Sequence, residues 1–287
     1  MAVEPPVVSP ATLPEALALV AEGAYQPIAG GTDLMVQLEA DVAEPPEAVL
    51  DLSRLDELRG VHTDGYEVRI GALTTWTDLR HSPVISARLH ALAEAAGTIG
   101  AAQIQNRGTI GGNICNASPA GDSLPVLLAV DAEFDLASVR GERTVAAREF
   151  WTGYRQTALA EDELLLRVRF QVDRDRHARF RKVGTRAAQA ISKVVMALSY
   201  SESGIGAAGA WRDVRVALGS VAPITIRASR TEAVLEGTVP GEAVADEAAH
   251  VLAAEIEPID DVRSTAGYRR AVSARVLHRL LREEGGW

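Results

Sequence analysis

Pro27-Ile28-Ala29-Gly30-Gly31-Thr32-Asp33-Leu34 decides how this chain is read. Tyr25 to Ala29 enters the Gly-Gly pair as a short strand, and Leu34 to Leu38 leaves it with helical character. Glycine lets a backbone approach a ligand closely and reach positive φ. Successive N–H groups in such a turn form a concavity for anions. A second glycine segment follows further on, Arg107-Gly108-Thr109-Ile110-Gly111-Gly112-Asn113, and continues to Ser118-Pro119-Ala120-Gly121-Asp122. Two such turns in one chain point to a ligand with a pyrophosphate and polar groups at both ends.

Outward from these turns the chain divides into 1–55, 56–173 and 174–287. Thr12-Leu13-Pro14-Glu15 reads as a capping box that opens an apolar-periodic helix, with Gly23 closing it. Val49 to Leu52 is a buried strand, which makes residues 1–55 a small α/β unit. In the second unit Tyr66–Gly71, Glu133–Leu136, Thr144–Ala146 and Leu164–Phe170 read as strands, and Ile85–Ala96 as one helix. Ser123–Ala129 reads as a short helix whose start near Asp122 faces an anion. Charge density rises at Val172–His177, a linker. Beyond it lie Ala178–Val183, Lys193–Tyr200 and Val214–Val221, mostly strand, and two helices, Glu242–Glu255 and Thr265–Glu284.

Composition excludes several functions. The 287 residues are 47% hydrophobic and 24% charged, which suits a soluble globular protein of about two or three domains. A net charge of −10 argues against a nucleic-acid binder. Cys115 is the single cysteine, so this chain alone builds no disulfide and no cysteine-ligated cluster. His62, His81, His90, His177, His250 and His278 show no metal-ligand spacing. No apolar run reaches the roughly 20 residues that span a bilayer, and the N-terminus lacks a signal-peptide pattern. The expected compartment is the cytoplasm. Of the 29 basic residues only Lys182 and Lys193 are lysine, which marks both as positions where a compact point charge is retained against a drift to arginine.

Gly204-Ile205-Gly206-Ala207-Ala208-Gly209 matches a dinucleotide-binding fingerprint, but a polar segment precedes it and the alternating Arg212–Leu218 follows. A hairpin turn fits better than a strand-to-helix turn. The more specific match is the ordered set Ala29–Leu34, Asn106–Asn113 and Ser118–Asp122 with Pro125. Asp51-Leu52-Ser53-Arg54, Ile70–Thr75, Arg181–Val183, Ile191–Val194 and Leu218–Pro223 complete it. In these motifs the chain resembles, over essentially its whole length, the FAD-binding medium subunit of the molybdenum hydroxylases, the xanthine dehydrogenase and carbon monoxide dehydrogenase family. The A-G-G-T-D form is more similar to xanthine-type members than to carbon monoxide dehydrogenases.

That resemblance implies an α+β protein. Its FAD-binding region has two α/β subdomains of the PCMH type, and a small C-terminal domain of antiparallel sheet plus helices follows. It implies noncovalent FAD, with Ile28, Ala29, Gly30, Gly31, Thr32, Asp33 and Leu34 around the pyrophosphate and Thr109, Gly111, Gly112 and Asn113 as the second contact loop. Gly30 and Gly112 would clear the approach of the diphosphate. Cys115 lies just beyond, with a buried apolar role as its alternative. Gly121 and Asp122 would meet the adenosine end, Asp122 otherwise being a helix N-cap. Ile99 and Gly100 would pass close to the cofactor, Leu165 would lie near a ring or in the core, and Lys193 would sit near the isoalloxazine, with Lys182 and Arg186 as alternatives. No acid–base, nucleophilic or metal-binding residue is implied.

The implied activity is electron transfer. Electrons would arrive from [2Fe–2S] clusters in a small iron–sulfur subunit, fed by the molybdenum cofactor of a large subunit, and leave to NAD⁺, oxygen or a quinone. The assembly would be a dimer of heterotrimers. Two alternatives remain open on the sequence. One is a standalone FAD oxidoreductase of the vanillyl-alcohol oxidase-like fold, and the other is a flavin-free assembly protein.

Overall fold

The computed structural model describes residues 5–40, 44–171, 175–186, 189–202 and 209–287. In the N-terminal unit β1 (Val7–Val8), β2 (Tyr25–Ile28) and β3 (Ala48–Asp51) form a parallel sheet in the order β1-β3-β2. Parallel neighbours need crossovers, and the helices Leu13–Ala21 and Leu34–Glu39 supply them. The Thr12 hydroxyl caps the first helix by accepting the Glu15 N–H. The Glu15 carboxylate accepts from Ala11 rather than from Thr12, so only half of the expected capping box forms. Gly23, at φ +76°, ends the helix. The core beneath contains Ala16, Val20, Leu50, Leu52, Leu55 and Leu58, joined by Leu164 and Leu166 from the next unit.

The middle unit is built on an antiparallel sheet. Its strands are β4 (Val61–Asp64), β5 (Glu67–Gly71), β6 (Glu133–Ser138) and β7 (Gly141–Ala146), a separate ribbon β8 (Trp151–Gly153) and β9 (Gln156–Thr157), and β10 (Leu164–Gln171). The five-stranded order is β4-β5-β10-β6-β7. A bulge in β10 between Leu165 and Arg167 shifts the alternation. Leu165, Val168 and Phe170 therefore share one core, while Leu164 and Leu166 face the other. Both faces are apolar at this point, which explains the unbroken Leu-Leu-Leu run.

The expected helix Ile85–Ala96 is two helices, Pro83–Arg88 and His90–Thr98. Ser82 caps the first and Leu89 breaks the path at φ −148°, ψ 67°. The break lets Ile85, Leu89, Ala91 and Leu92 all reach the core. The second glycine segment, read as a contact loop, starts a helix, Ile110–Asn116, that its glycine content concealed.

In the C-terminal part β11 (Arg176–Val183), β12 (Val194–Glu202), β13 (Trp211–Gly219) and β14 (Ile226–Arg227) form an antiparallel sheet in that order. Met196, Leu198 and Tyr200 of β12 pack with Leu235, Leu252, Leu277 and Leu280 from the helices Ser229–Leu235, Glu242–Glu255 and Ala266–Gly285. Val195 and Ala197 pack against the middle unit. One sheet is thus shared between two cores, and its central strand is apolar on both faces. The expected turn at Gly204–Gly209 lies, apart from Gly209, outside the described residues, and the strands that flank it are antiparallel neighbours. Residues 172–174 of the expected linker are likewise outside them, whereas Arg176 and His177 already belong to β11. No helix among the described residues is long and apolar enough to cross a membrane.

Candidate functional site

A cleft of about 550 Å³ lies where the N-terminal and middle units meet. The first glycine turn, from Ile28 through Ala29, Gly30, Gly31, Thr32 and Asp33 to Leu34, forms one wall. Ile99, Thr109, Gly112, Asn113 and Cys115 line it from the middle unit. Gly31 is left-handed, at φ +71°, a conformation that glycine adopts without the Cβ penalty. Among the described residues no group accepts the N–H of Gly30, Gly31 or Thr32. Unpaired N–H groups along a cleft wall are donors awaiting an acceptor.

Gly30 has a different reason for lacking a side chain than the one expected. A Cβ there would lie 1.9 Å from the Arg107 carbonyl oxygen and 2.9 Å from Gly108 Cα. The two glycine segments touch through their backbones, and Gly30 is the contact. Gly112 lines the cleft as well, and its added Cβ would meet only the Thr109 hydroxyl, at 3.1 Å.

The second segment does not offer a row of free N–H groups. Ile110 donates to Thr74 O, Gly111 to Ala72 O, and Asn113 to Thr109 O. The Gly112 N–H donates to the Thr109 hydroxyl, which caps the helix. The helix start consumes the donors that a free turn would have left. What remains for a ligand is the bare Gly112 surface and the Asn113 amide, whose Oδ1 accepts from Ser123 at 2.7 Å. Gly111 lies behind this surface, where a Cβ would be 2.7 Å from Ala72.

The remaining sequence candidates lie outside the cleft lining. Gly100 is left-handed, at φ +57°, and packs on Ile104. Gly121 packs on Leu124. Leu165 is a buried member of the middle core. Lys193 places its ammonium 5.0 Å from the centroid of the Tyr268 ring in the C-terminal domain. Arg186 donates to the Gln189 carbonyl. Asp122 is buried and accepts from Lys182 Nζ at 2.5 Å and from the Thr98 hydroxyl at 3.3 Å. Burial pushes its carboxyl above the ordinary range, and the Lys182 charge and hydrogen bond, then Thr98 and Ser192, pull it back.

Cys115 lines the cleft yet is desolvated by its surroundings, which push the thiol up to about 12. It is a neutral, unreactive thiol at neutral pH. No cluster of His, Cys, Asp or Glu that could hold a metal occurs among the described residues.

Sequence reasoning missed Trp76, Asn116 and Arg155, which also line the cleft. Arg155 is the one cation in that lining among the described residues. It sits at φ +52° in the turn between β8 and β9 and donates to Asn116 Oδ1 at 2.8 Å. Its only sequence signal was Gly153 beside it. Arg155 also borders a second cavity of about 430 Å³, shared with Tyr154, Ser192, Ser220 and Arg269. Arg155 thus lines both the glycine-walled cleft and a cavity between the middle unit and the C-terminal part.

The N-terminal and middle units match the FAD binding domain in molybdopterin dehydrogenase over residues 2–170. Residues 179–284 match the CO dehydrogenase flavoprotein C-terminal domain. This chain belongs to the FAD-binding medium subunits of the molybdenum hydroxylase family. It is 33% identical over 280 residues to the carbon monoxide dehydrogenase medium chain of Hydrogenophaga pseudoflava, covering 95% of this chain and 94% of that one. It is 35% identical over 232 residues to the putative xanthine dehydrogenase FAD-binding subunit of Escherichia coli, covering 77% and 76%. The solved carbon monoxide dehydrogenase of Hydrogenophaga pseudoflava superposes with a TM-score of 0.91 at 33% identity, over 97% of this chain and 96% of that one. The FAD-binding medium subunit described here is accordingly an oxidoreductase flavoprotein, and FAD is its cofactor.

Proposed function

We propose that this subunit holds FAD across the cleft and serves as the electron outlet of a molybdenum hydroxylase. The observation that carries the reading is the wall of unpaired N–H groups at Gly30, Gly31 and Thr32 opposite the bare Gly112 surface. These donors suit a pyrophosphate. Asn113 and Arg155 add a side-chain amide and a positive charge beside it. Trp76, Ile99 and Ile104 give the cleft apolar surface that excludes water. When bound, FAD supplies the redox chemistry, taking electrons from [2Fe–2S] clusters of a small partner subunit and delivering them to NAD⁺ or another acceptor. The protein's own residues bind and orient the cofactor and perform no proton transfer of their own.

The proposed assembly adds a large molybdenum-binding subunit, as a dimer of heterotrimers. Relatives include both carbon monoxide and xanthine dehydrogenase chains, and the hydroxylated substrate would bind the large subunit. The test is an absorption scan and an FAD titration of the desalted full chain. A folded, colourless protein that takes up no FAD would overturn the reading. Flavin that stays with the chain after acid precipitation would overturn noncovalent attachment.

A further inference from the structure

Arg155 stands in a backbone conformation that glycine would adopt with less strain. Tyr154 and Arg155 join β8 to β9, and Arg155 is the left-handed residue of the turn, at φ +52°. The second residue of such a turn is ordinarily glycine or asparagine. A larger side chain there crowds the neighbouring carbonyl. Six non-glycine residues among the described ones are left-handed, and four of them are Asp, Ser or Gln. The other two are Arg155 and Ala117, and they flank one hydrogen bond. Arg155 Nη1 donates to Asn116 Oδ1 at 2.8 Å, and Ala117, at φ +49°, caps the helix that Asn116 ends.

Packing explains where the turn lies but not why arginine occupies it. Trp151 is buried and its Nε1 donates to the Ile114 carbonyl at 3.1 Å, so the ribbon is fastened to that helix without help from Arg155. The Arg155 side chain is exposed and its guanidinium is held by a neutral amide. No carboxylate pairs with it among the described residues, whereas Arg140, Arg143, Arg167 and Arg169 of the same unit each have one. An amide oxygen orients a cation without cancelling its charge. The cleft that Arg155 lines also contains the carboxylates of Asp33 and Glu44. Any further negative charge brought into it meets one positive group among the described residues.

We propose, resting on the FAD reading above, that Arg155 is kept in its strained conformation for its charge: it is the counter-charge of the cofactor's diphosphate, and the turn gives up stability to place it there. Oxidised FAD carries its formal negative charges on the two phosphates alone, so a lone cation in the lining pairs with those. Asn116 engages Nη1, which leaves the Nε and Nη2 donors of the planar fork for phosphate oxygens. Strain of this kind persists where the surrounding structure fixes it and the site makes use of it. The buried Trp151 supplies that fixation here.

The experiment titrates FAD into the full apo chain by flavin fluorescence at low and high salt, for wild type, Arg155→Gly, Arg155→Ala and Arg155→Lys, with a melt of each protein before FAD is added. Arg155→Gly and Arg155→Ala should raise the Kd by the same factor, about tenfold or more, the scale for losing a charged hydrogen-bond partner. Arg155→Lys keeps the charge but not the fork, and should fall between them and wild type. Added salt should weaken FAD more in wild type than in the Gly and Ala variants, because it screens a charge pair that only wild type has. Without FAD, Arg155→Gly should melt about 2–4 °C above Arg155→Ala, since only glycine relieves the left-handed strain. A wild-type Kd in both the Gly and Ala variants would overturn the proposal and leave Arg155 as a brace for the helix end. So would a wild-type Kd in Arg155→Gly alone, equal salt dependence throughout, or equal melting of the Gly and Ala variants. Arg155→Gln takes the place of Arg155→Ala under the same criteria if the latter does not fold. Failure of wild type to bind FAD would overturn the FAD reading instead.

Discussion

Gly30→Ala and Gly112→Ala should separate the two jobs that glycine does around the cleft. Neither position requires a positive φ, so alanine brings no backbone strain and the effect is one of space. At Gly30 the new methyl would sit 1.9 Å from the Arg107 carbonyl oxygen and 2.5 Å from its carbon. Relief to ordinary contact moves one backbone against the other by about 1.5 Å. Overpacking of that kind costs about 1–3 kcal/mol or more. Spread over a protein of this size, that lowers the Tm by about 2–4 °C per kcal/mol. At Gly112 the methyl would meet only the hydroxyl of its own capping residue, Thr109, at 3.1 Å. The apo Tm should therefore hardly change, while the methyl occupies ligand space and weakens FAD by about tenfold to a hundredfold, or 1.4–2.8 kcal/mol. Melts of the apo variants and FAD titrations read both quantities. An apo Gly30→Ala as stable as wild type would refute the backbone contact between the glycine segments. A Gly112→Ala variant with the wild-type Kd would refute that surface as part of the FAD site.

Lys193→Ala and Tyr268→Ala remove the same cation–π contact, so each should lower stability by about 0.5–1 kcal/mol and leave FAD bound; loss of flavin from Lys193→Ala alone would place the ammonium at the cofactor. The Arg143 hydrogen bonds hold the buried Glu163 carboxyl below its ordinary range. That contribution is present above the unfolded pKa of about 4.3 and is lost as pH falls through the folded value. Urea unfolding of Glu163→Gln should accordingly show a flatter acid limb than wild type, and identical limbs would refute the pairing. Cys115 should react with iodoacetamide far more slowly than a free thiol at neutral pH, since its thiol lies at about 12; labelling at the rate of a small-molecule thiol would refute its desolvation.

Local signals carried much of this fold. Gly31 had to be glycine because the turn after β2 is left-handed. Val194 to Tyr200 is apolar throughout because both faces of β12 are covered. The expected helices Glu242–Glu255 and Thr265–Glu284 form over Glu242–Glu255 and Ala266–Gly285, with Thr265 capping the second rather than belonging to it. At Gly31 and in the two helices the cause lies within a few residues of the signal, whereas the apolar run of β12 reflects partners far along the chain. The two lysines stood out by composition, but nothing local distinguished Lys182 from Lys193.

Long-range contacts decided the rest. Gly30 and Arg107 meet only because the N-terminal and middle units pack together. Whether a glycine faces a ligand or another backbone is a property of that packing. The N–H groups at Ile110 and Gly111 are satisfied by Thr74 and Ala72, residues that a local reading of the glycine segment does not include. Arg155 reaches the cleft because a turn at the end of β8 projects it there. Lys182 lies 60 positions from Asp122, and only the docking of the C-terminal sheet brings its charge to that carboxylate. Secondary structure is set by steric preferences and periodicity along the chain, whereas the partners of a buried charge or a bare glycine are set by which surfaces close on one another.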